Sequence, residues 1–176
     1  MKRCVTGEPM WQAGHIFHGQ SGRTDALVPH VEGLRAVIKK VKMTHPFSIL
    51  AMAILTEHLH TIWRLPPGDA DYPVRWSLIK AGFSRLMARD ERVRASRIAK
   101  RERGIWQRRY WEHQIRDEDY LARHVDYIHY NPVKHGWVSR PVDWPHSTLH
   151  GYIERGMARA DWGGVITHEA HGYGER

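Results

Sequence analysis

The stretch FSILAMAILTEHLHTIWRLP, residues 47–66, decides the fold that the chain is expected to adopt. Its apolar first part, residues 47–55, is typical of a buried strand. A polar Thr-Glu pair then separates it from a second candidate strand, residues 58–65, so the stretch predicts a β-hairpin. Because side chains alternate between the two faces of a strand, His58 and His60 would project from the same face.

Two imidazoles on one strand face can bind the same metal ion. The chain contains 14 histidines, however, so an exposed or hydrogen-bonded pair at His58 and His60 is the competing interpretation. Cys4 is the sole cysteine, which excludes an internal disulfide and a cysteine-based zinc site. Taken alone, the histidine pair does not establish a metal centre.

Helices are predicted on both sides of the hairpin. Apolar residues recur at helical spacing over residues 25–41, a second helix should begin near residue 71, and a long helix should start at Asp117. The long helix is expected to end near Asn131, because Pro132 restricts the residue before it. The order helix, strand, strand, helix, helix favours an α+β sandwich with an antiparallel sheet and helices on one face.

The composition favours a nucleic-acid partner. The 176-residue chain carries a formal net charge of +8 and has a sequence pI of about 9.9, a surplus that suits a polyanion. An anionic membrane surface is the alternative, but the longest apolar run, residues 49–55, is too short to span a bilayer. The N-terminus has no apolar core of signal-peptide type, and a cytoplasmic location is expected.

Residues 85–109 carry most of the basic surplus, with ten Lys or Arg against three acidic residues. A solvated helix face is one interpretation of this segment. The interleaved aromatic residues favour nucleic acid, because unpaired bases stack on aromatic rings while arginines contact phosphates. The residues predicted to contact DNA are Arg85, Arg89, Arg97, Arg101, Arg108, Arg109, Trp106 and Trp111.

The predicted helix that starts at Asp117 has a polar stripe. At about 100° per residue, Tyr120, His124, Tyr127 and Asn131 fall on one side of it. Tyr127 and Asn131 are one turn apart, so a nucleophilic hydroxyl and an amide oxygen would project side by side. An amphipathic helix edge at the core boundary is the simpler explanation of this stripe taken alone.

In combination, these motifs resemble a known family. EHLHTIWRLP, residues 57–66, is similar to the histidine-hydrophobic-histidine (HUH) strand of single-tyrosine transposases. IWQRRYWEHQIRDEDYLARHVDYIHYNPVKHGWV, residues 105–138, is similar to the tyrosine-helix region of one branch, the REP-associated tyrosine transposases. DWPHSTLHGYIERG, residues 143–156, and the later DWGG fit the same branch. The resemblance extends over residues 30–165.

The resemblance implies a fold and a set of site residues. The fold would be a ferredoxin-like α+β sandwich, with the HUH strand in the central antiparallel sheet and the tyrosine helix packed beside it. His58 and His60 would be metal ligands, Tyr127 the nucleophile, and Asn131 the polar residue that completes the metal site. The competing tyrosines are Tyr120 and Tyr130.

The resemblance also implies an activity. The chain would be a transposase that cleaves and transfers single-stranded DNA at REP-type hairpins, through a 5′-phosphotyrosine intermediate. Its cofactor would be Mg²⁺ or Mn²⁺, and two imidazoles with an amide suit Mn²⁺ somewhat better. A monomer that associates with the nucleoid and has no membrane partner is expected. The alternatives are a catalytically inactive hairpin-binding derivative, a larger type of HUH nuclease disfavoured by the chain length, and an RNA-binding module or ribonuclease.

The expected domain organisation follows from these assignments. Residues 25–165 would form the HUH domain, residues 1–24 a divergent and weakly structured N-terminus, and residues 166–176 a flexible tail. The family opens with an apolar strand near the sheet centre, whereas this chain offers only Ile16 and Phe17 among many glycines. The sequence alone therefore leaves the first strand, and with it the activity of this copy, in question.

Overall fold

The computed structural model describes residues 14–20, 25–88, 103, 105–107 and 111–163. Within these residues the strands are β1 (Gly14–Gln20), β2 (Ser48–Ile54), β3 (His58–Arg64) and β4 (Trp111–Gln114). The helices there are α1 (Val31–Thr44), α2 (Tyr72–Leu86), α3 (Glu118–Lys134) and α4 (Leu149–Glu154), with short 3-10 turns at Val28–His30 and Pro141–Asp143. None of these helices is long and apolar enough to cross a membrane.

The four strands form one antiparallel sheet in the order β2-β3-β1-β4. Along the chain, β1 to β4 with α1 and α2 follow the β-α-β-β-α-β pattern of ferredoxin-like folds. The predicted hairpin of residues 47–65 is present as β2 and β3. The antiparallel α+β architecture predicted from the sequence is therefore confirmed.

The first strand is present, and it lies inside the sheet between β3 and β4. Ile16 pairs with Ile62 on one side and with His113 on the other, and Phe17 is completely buried. Glycine disfavours a strand prediction, which is one reason why the sequence does not show this strand clearly. The structure requires glycine at position 19, because a Cβ there would collide with the Trp76 indole. The sheet thus begins within residues 1–24, the segment that was expected to be weakly structured. The predicted tail of residues 166–176 lies outside the described residues.

The sheet has a hydrophobic core on each face. Leu59 and Trp63 project from β3 toward α1 and α2, where Phe17 and Trp76 belong to the same cluster. Ile62 projects from β3 into a second cluster, which α3 covers. The expectation that the helices lie on one face was therefore wrong. Helices α1 and α2 pack on one face of the sheet, and α3 packs on the face that carries His58 and His60.

Helix α3 continues past Pro132 to Lys134, although the sequence predicted that it would end before the proline. A proline inside a helix removes one backbone donor and strains the preceding turn. Pro132 is the third residue from the end of α3, where His135 caps the helix and Gly136 follows with a φ of 71°. The Trp137 amide then donates to the Pro132 carbonyl at 2.9 Å. The longer helix places two further side chains near its C-terminal end.

The segment after α3 covers the free edge of β2. The Thr148 amide donates to the Met52 carbonyl at 2.8 Å, and the Met52 amide donates to the Thr148 hydroxyl at 2.8 Å. The Ile54 amide donates to the His146 carbonyl at 2.9 Å. An exposed edge strand is a template for unwanted pairing with other chains, and this segment removes that template along β2.

Replacement of Thr148 by Val should destabilise the domain by about 1–3 kcal/mol. The substitution keeps the shape of the side chain but removes the oxygen that accepts from Met52 and lies 2.9 Å from His129 Nε2. Urea denaturation measures the change in the free energy of unfolding. Thr44→Val, at an exposed helix end, is the matched control and should change stability by less than about 0.5 kcal/mol. Equal effects of the two substitutions would contradict a role of Thr148 in closing the edge.

His129 should make the stability of the domain pH-dependent. Burial, helped by the nearby His150, lowers the pKa of His129 from 6.5 to about 4. The unfolded chain therefore binds a proton at a higher pH than the folded chain does. The contribution of His129 to the free energy of unfolding is complete above about pH 6.5 and falls by roughly 3 kcal/mol as the pH decreases to about 4. Urea denaturation across this range should show a shallower pH dependence in His129→Gln; an unchanged slope would assign the effect to other groups.

Candidate active site

His58 and His60 lie side by side on the face of β3 that α3 covers. Their side chains are almost fully buried, with 4% and 3% of their surface exposed. The two imidazole centroids are 5.1 Å apart, and the ring planes are nearly perpendicular at 88°. The prediction that both histidines share one strand face is confirmed, and burial excludes the exposed form of the alternative but not a hydrogen-bonded pair; the role of the pair as metal ligands stays a prediction.

Tyr127 projects from α3 onto this histidine pair. Its ring centroid is 5.7 Å from that of His60, with the ring planes at 86°, and only 7% of its surface is exposed. The local cause is the helix itself: the Asp117 carboxylate accepts a hydrogen bond from the Tyr120 amide at 2.6 Å and fixes where α3 begins. From that start, Tyr127 falls on the face that packs against the sheet.

Asn131 lies between the contacts that join α3 to the histidines. Tyr127, one turn before it, meets His60; His135, one turn after it, has its ring centroid 4.8 Å from that of His58. Asn131 is completely buried, and neither atom of its side-chain amide has a hydrogen-bond partner within the described residues. A buried amide in this state costs about 1–3 kcal/mol, so the position favours a bound group.

The donor types at this position fit a divalent metal ion. Two neutral imidazoles and one amide oxygen are ligands that Mn²⁺ accepts, and Mg²⁺ can use them with phosphate and water oxygens. Within the described part of the chain, no three His, Cys, Asp or Glu side chains cluster closely enough to hold a metal ion. Among the described residues, the buried amide of Asn131 is the candidate for a third ligand beside His58 and His60.

Lys134 is a neighbour of Tyr127 that sequence reasoning missed. Its ammonium donates a hydrogen bond to the Tyr127 hydroxyl oxygen at 3.1 Å and lies 5.1 Å from the centroid of the tyrosine ring. His135 was missed as well. Both follow Pro132, and the expectation that the helix ends before this proline removed them from consideration. Their spacing of seven and eight residues from Tyr127, two helical turns, was the available signal.

Tyr120, one of the competing tyrosines, belongs to a different cluster. Its ring centroid is 4.1 Å from that of His124 and 5.5 Å from that of His113. The His124 Nδ1 donates a hydrogen bond to the Tyr120 carbonyl at 2.8 Å, and burial lowers the pKa of His124. The geometry thus separates Tyr120 from the histidine pair and favours Tyr127 as the tyrosine of this site.

The predicted DNA contacts have mixed outcomes. Arg85 is exposed at the end of α2 and is available to a phosphate. Trp106 is buried, with its ring centroid 5.4 Å from that of Phe83 and 6.1 Å from that of Trp76, so its placement in the core does not match the prediction of a base-stacking surface. Trp111 begins β4. The predicted contacts that lie outside the described residues are Arg89, Arg97, Arg101, Arg108 and Arg109.

Comparison with known proteins identifies the family. No protein-family model matches the chain. A REP-associated tyrosine transposase of Escherichia coli (strain K12) is 43% identical over 145 residues, which cover 82% of this chain and 80% of that protein. The chain belongs to the REP-associated tyrosine transposase family. A Haemophilus influenzae protein named after the same family is 41% identical over 139 residues, covering 78% of this chain and 79% of that protein.

A solved structure supports the same membership. The structure of a REP-associated tyrosine transposase bound to a REP hairpin superposes with a TM-score of 0.78 at 40% identity, covering 93% of this chain and 92% of that chain. The antiparallel sheet with helices packed on it is thus the family architecture, and the transposase resemblance inferred from the HUH and tyrosine-helix motifs is confirmed.

Proposed function

We propose that this REP-associated tyrosine transposase is a metal-dependent endonuclease and strand transferase that acts on single-stranded DNA at REP-type hairpins. The observation that carries the proposal is the contact of the buried Tyr127 ring with His60, beside His58. A hydroxyl nucleophile and two imidazole ligands are the parts that cleavage through a 5′-phosphotyrosine needs. The solved relative bound to a REP hairpin supports the choice of substrate.

Tyr127 would perform the covalent chemistry. Its hydroxyl loses a proton, the Oη–P bond forms, and the bond between phosphorus and the 3′ oxygen of the preceding nucleotide breaks. That oxygen takes up a proton and becomes a free 3′-hydroxyl. The phosphotyrosine conserves the energy of the phosphodiester, so attack by another 3′-hydroxyl rejoins DNA without ATP.

His58, His60 and Asn131 would hold Mg²⁺ or Mn²⁺, with open positions for the scissile phosphate. The bound ion would supply Lewis-acid stabilisation of the negative charge that develops on the phosphate oxygens. The protein's contribution is orientation: burial fixes the two imidazoles on β3, and the turn of helix between Tyr127 and Asn131 fixes the nucleophile relative to the third ligand.

The environment of Tyr127 favours a single-stranded substrate. Its ring is buried between α3 and β3, so the scissile phosphate has to leave a duplex surface to reach the hydroxyl. The net charge of +8 favours binding of the hairpin phosphates, and affinity should fall steeply with salt. The proposal also includes that the protein acts as a monomer and associates with the nucleoid.

Covalent capture tests this function. Purified protein is incubated with a labelled single-stranded REP-type hairpin and Mn²⁺ or Mg²⁺, and then separated under denaturing conditions. A protein–DNA band that disappears with chelator supports the proposal. No band, with hairpin binding intact on a native gel, would refute it and favour the hairpin-binding protein without catalytic activity.

A further inference from the structure

We infer that Lys134 is a catalytic residue that stabilises negative charge on the Tyr127 oxygen, both when this oxygen attacks DNA and when it leaves during rejoining. The inference rests on the proposed function, because it assigns a role within the same site. The observation behind it is the 3.1 Å hydrogen bond from the Lys134 ammonium to the Tyr127 hydroxyl oxygen.

The geometry places the ammonium where the phosphate has to arrive. Lys134 is the last residue of α3, two turns after Tyr127 and on the same side of the helix. Lys134 is exposed whereas Tyr127 is buried, so the ammonium that bonds to the tyrosine hydroxyl belongs to a side chain that reaches solvent. A phosphate that arrives at the hydroxyl comes within reach of this ammonium.

The direction of the hydrogen bond determines what Lys134 can do. An ammonium has only donors, so the tyrosine oxygen must be the acceptor. The hydroxyl proton consequently points elsewhere and can depart while the bond to Lys134 remains. A hydrogen bond from a cation to an oxyanion is roughly twice as strong as one between neutral groups. The contact therefore strengthens as charge develops on the oxygen, which is the condition for catalysis.

The same contact acts in both directions of the reaction. In cleavage, the tyrosine proton goes to solvent, the Oη–P bond forms and the P–O3′ bond breaks with protonation of the 3′ oxygen. In rejoining, an incoming 3′-hydroxyl loses its proton and attacks phosphorus, and the Oη–P bond breaks. The tyrosine oxygen then leaves as a phenolate that Lys134 stabilises until it takes a proton from solvent. Each step balances without a further reactant.

The end of α3 is built so that Lys134 can reach this oxygen. The helix accommodates Pro132 and ends immediately after Lys134, where the His135 amide bonds back to the Asn131 carbonyl at 3.0 Å. If the helix ended before the proline, the lysine would not be held on the same side as Tyr127. A purely structural role, in which the lysine aliphatic chain only covers the tyrosine ring, is the competing explanation.

Single-turnover kinetics with Lys134→Met and Lys134→Arg decide between these roles. Formation of the covalent complex is timed at saturating hairpin, and rejoining is timed from the isolated covalent complex after addition of a 3′-hydroxyl strand. We expect Lys134→Met to slow both steps about 100-fold, as loss of an oxyanion donor does, and Lys134→Arg to restore most of both rates. A residue that only covers the ring would be replaced adequately by methionine.

Arg123→Met is the matched control. Arg123 lies on the same helix with its guanidinium carbon 5.9 Å from the centroid of a tyrosine ring, but that ring belongs to Tyr120. This variant should keep both rates, and thermal unfolding checks that all three variants are folded. Rates within about threefold of wild type in Lys134→Met, or a loss only of hairpin affinity with saturated rates unchanged, would overturn the inference. Absence of covalent complex in the wild type would instead overturn the proposed function itself, and the inference with it.

Discussion

Tyr127→Phe should abolish the covalent protein–DNA band, with a loss of cleavage rate of about 10⁴-fold or more. The substitution removes the one atom that forms the bond to phosphorus, and the remaining residues cannot supply another oxygen at that point. The phenyl ring still fills the space against His60, where the tyrosine ring has its centroid 5.7 Å away. Folding and hairpin affinity should therefore stay close to those of the wild type, which native gels and thermal unfolding measure.

Tyr120→Phe and Tyr130→Phe are the controls for this result. Tyr120 contacts His113 and His124 rather than the histidine pair, so loss of its hydroxyl should leave the band in place. Tyr130→Phe tests the other competing tyrosine of α3 and should likewise leave the band in place. If the band survived in Tyr127→Phe and disappeared in one of the other two variants, the assignment of the nucleophile would be wrong.

His60→Ala should lower the rate of cleavage by roughly 10³-fold, because loss of a ligand removes several kcal/mol of charge stabilisation in the transition state. The effect should depend on metal: in the presence of chelator, the wild type and His60→Ala should become equally slow. His60 is only 3% exposed, so thermal unfolding has to confirm that the variant is folded. Rates are measured by covalent capture over a series of Mn²⁺ concentrations.

His30→Ala provides the matched control for the metal experiment. His30 is an exposed histidine whose ring lies 6.4 Å from that of Phe83, on the other face of the sheet. This variant should keep both the rate and its dependence on Mn²⁺. A metal dependence that stayed unchanged in His60→Ala would show that the ion is bound elsewhere.

The sequence predicts the parts of the site that depend on a regular repeat. The alternation of residues 58–65 places His58 and His60 on one face, and the helical period places Tyr127 and Asn131 together. These predictions succeed because each uses the geometry of a single element. The distance between strand and helix depends on packing of the whole sheet, and the contact of Tyr127 with His60 could not be derived from either period.

The incorrect predictions can each be traced to a particular residue. A glycine normally weakens a strand prediction, yet Gly19 is required because the Trp76 indole occupies the space of a side chain. A proline normally ends a helix, yet α3 continues for two residues past Pro132, and the Trp137 amide donates to the Pro132 carbonyl. Trp106 looked like a stacking surface in a basic segment, but its ring completes a buried cluster with Trp76 and Phe83. At Gly19 and Trp106 a tertiary neighbour overrides a local preference.

The segment that covers the β2 edge also restrains the nucleophile. Thr148 bonds to Met52 of the sheet and lies 2.9 Å from His129 on α3, while Tyr127 on the same helix contacts His60. The tyrosine helix is thus linked to β3 through the contact of Tyr127 with His60 and to β2 through the contact of His129 with Thr148. If strand transfer takes place as proposed, these two contacts oppose rotation of the tyrosine away from the sheet between cleavage and rejoining.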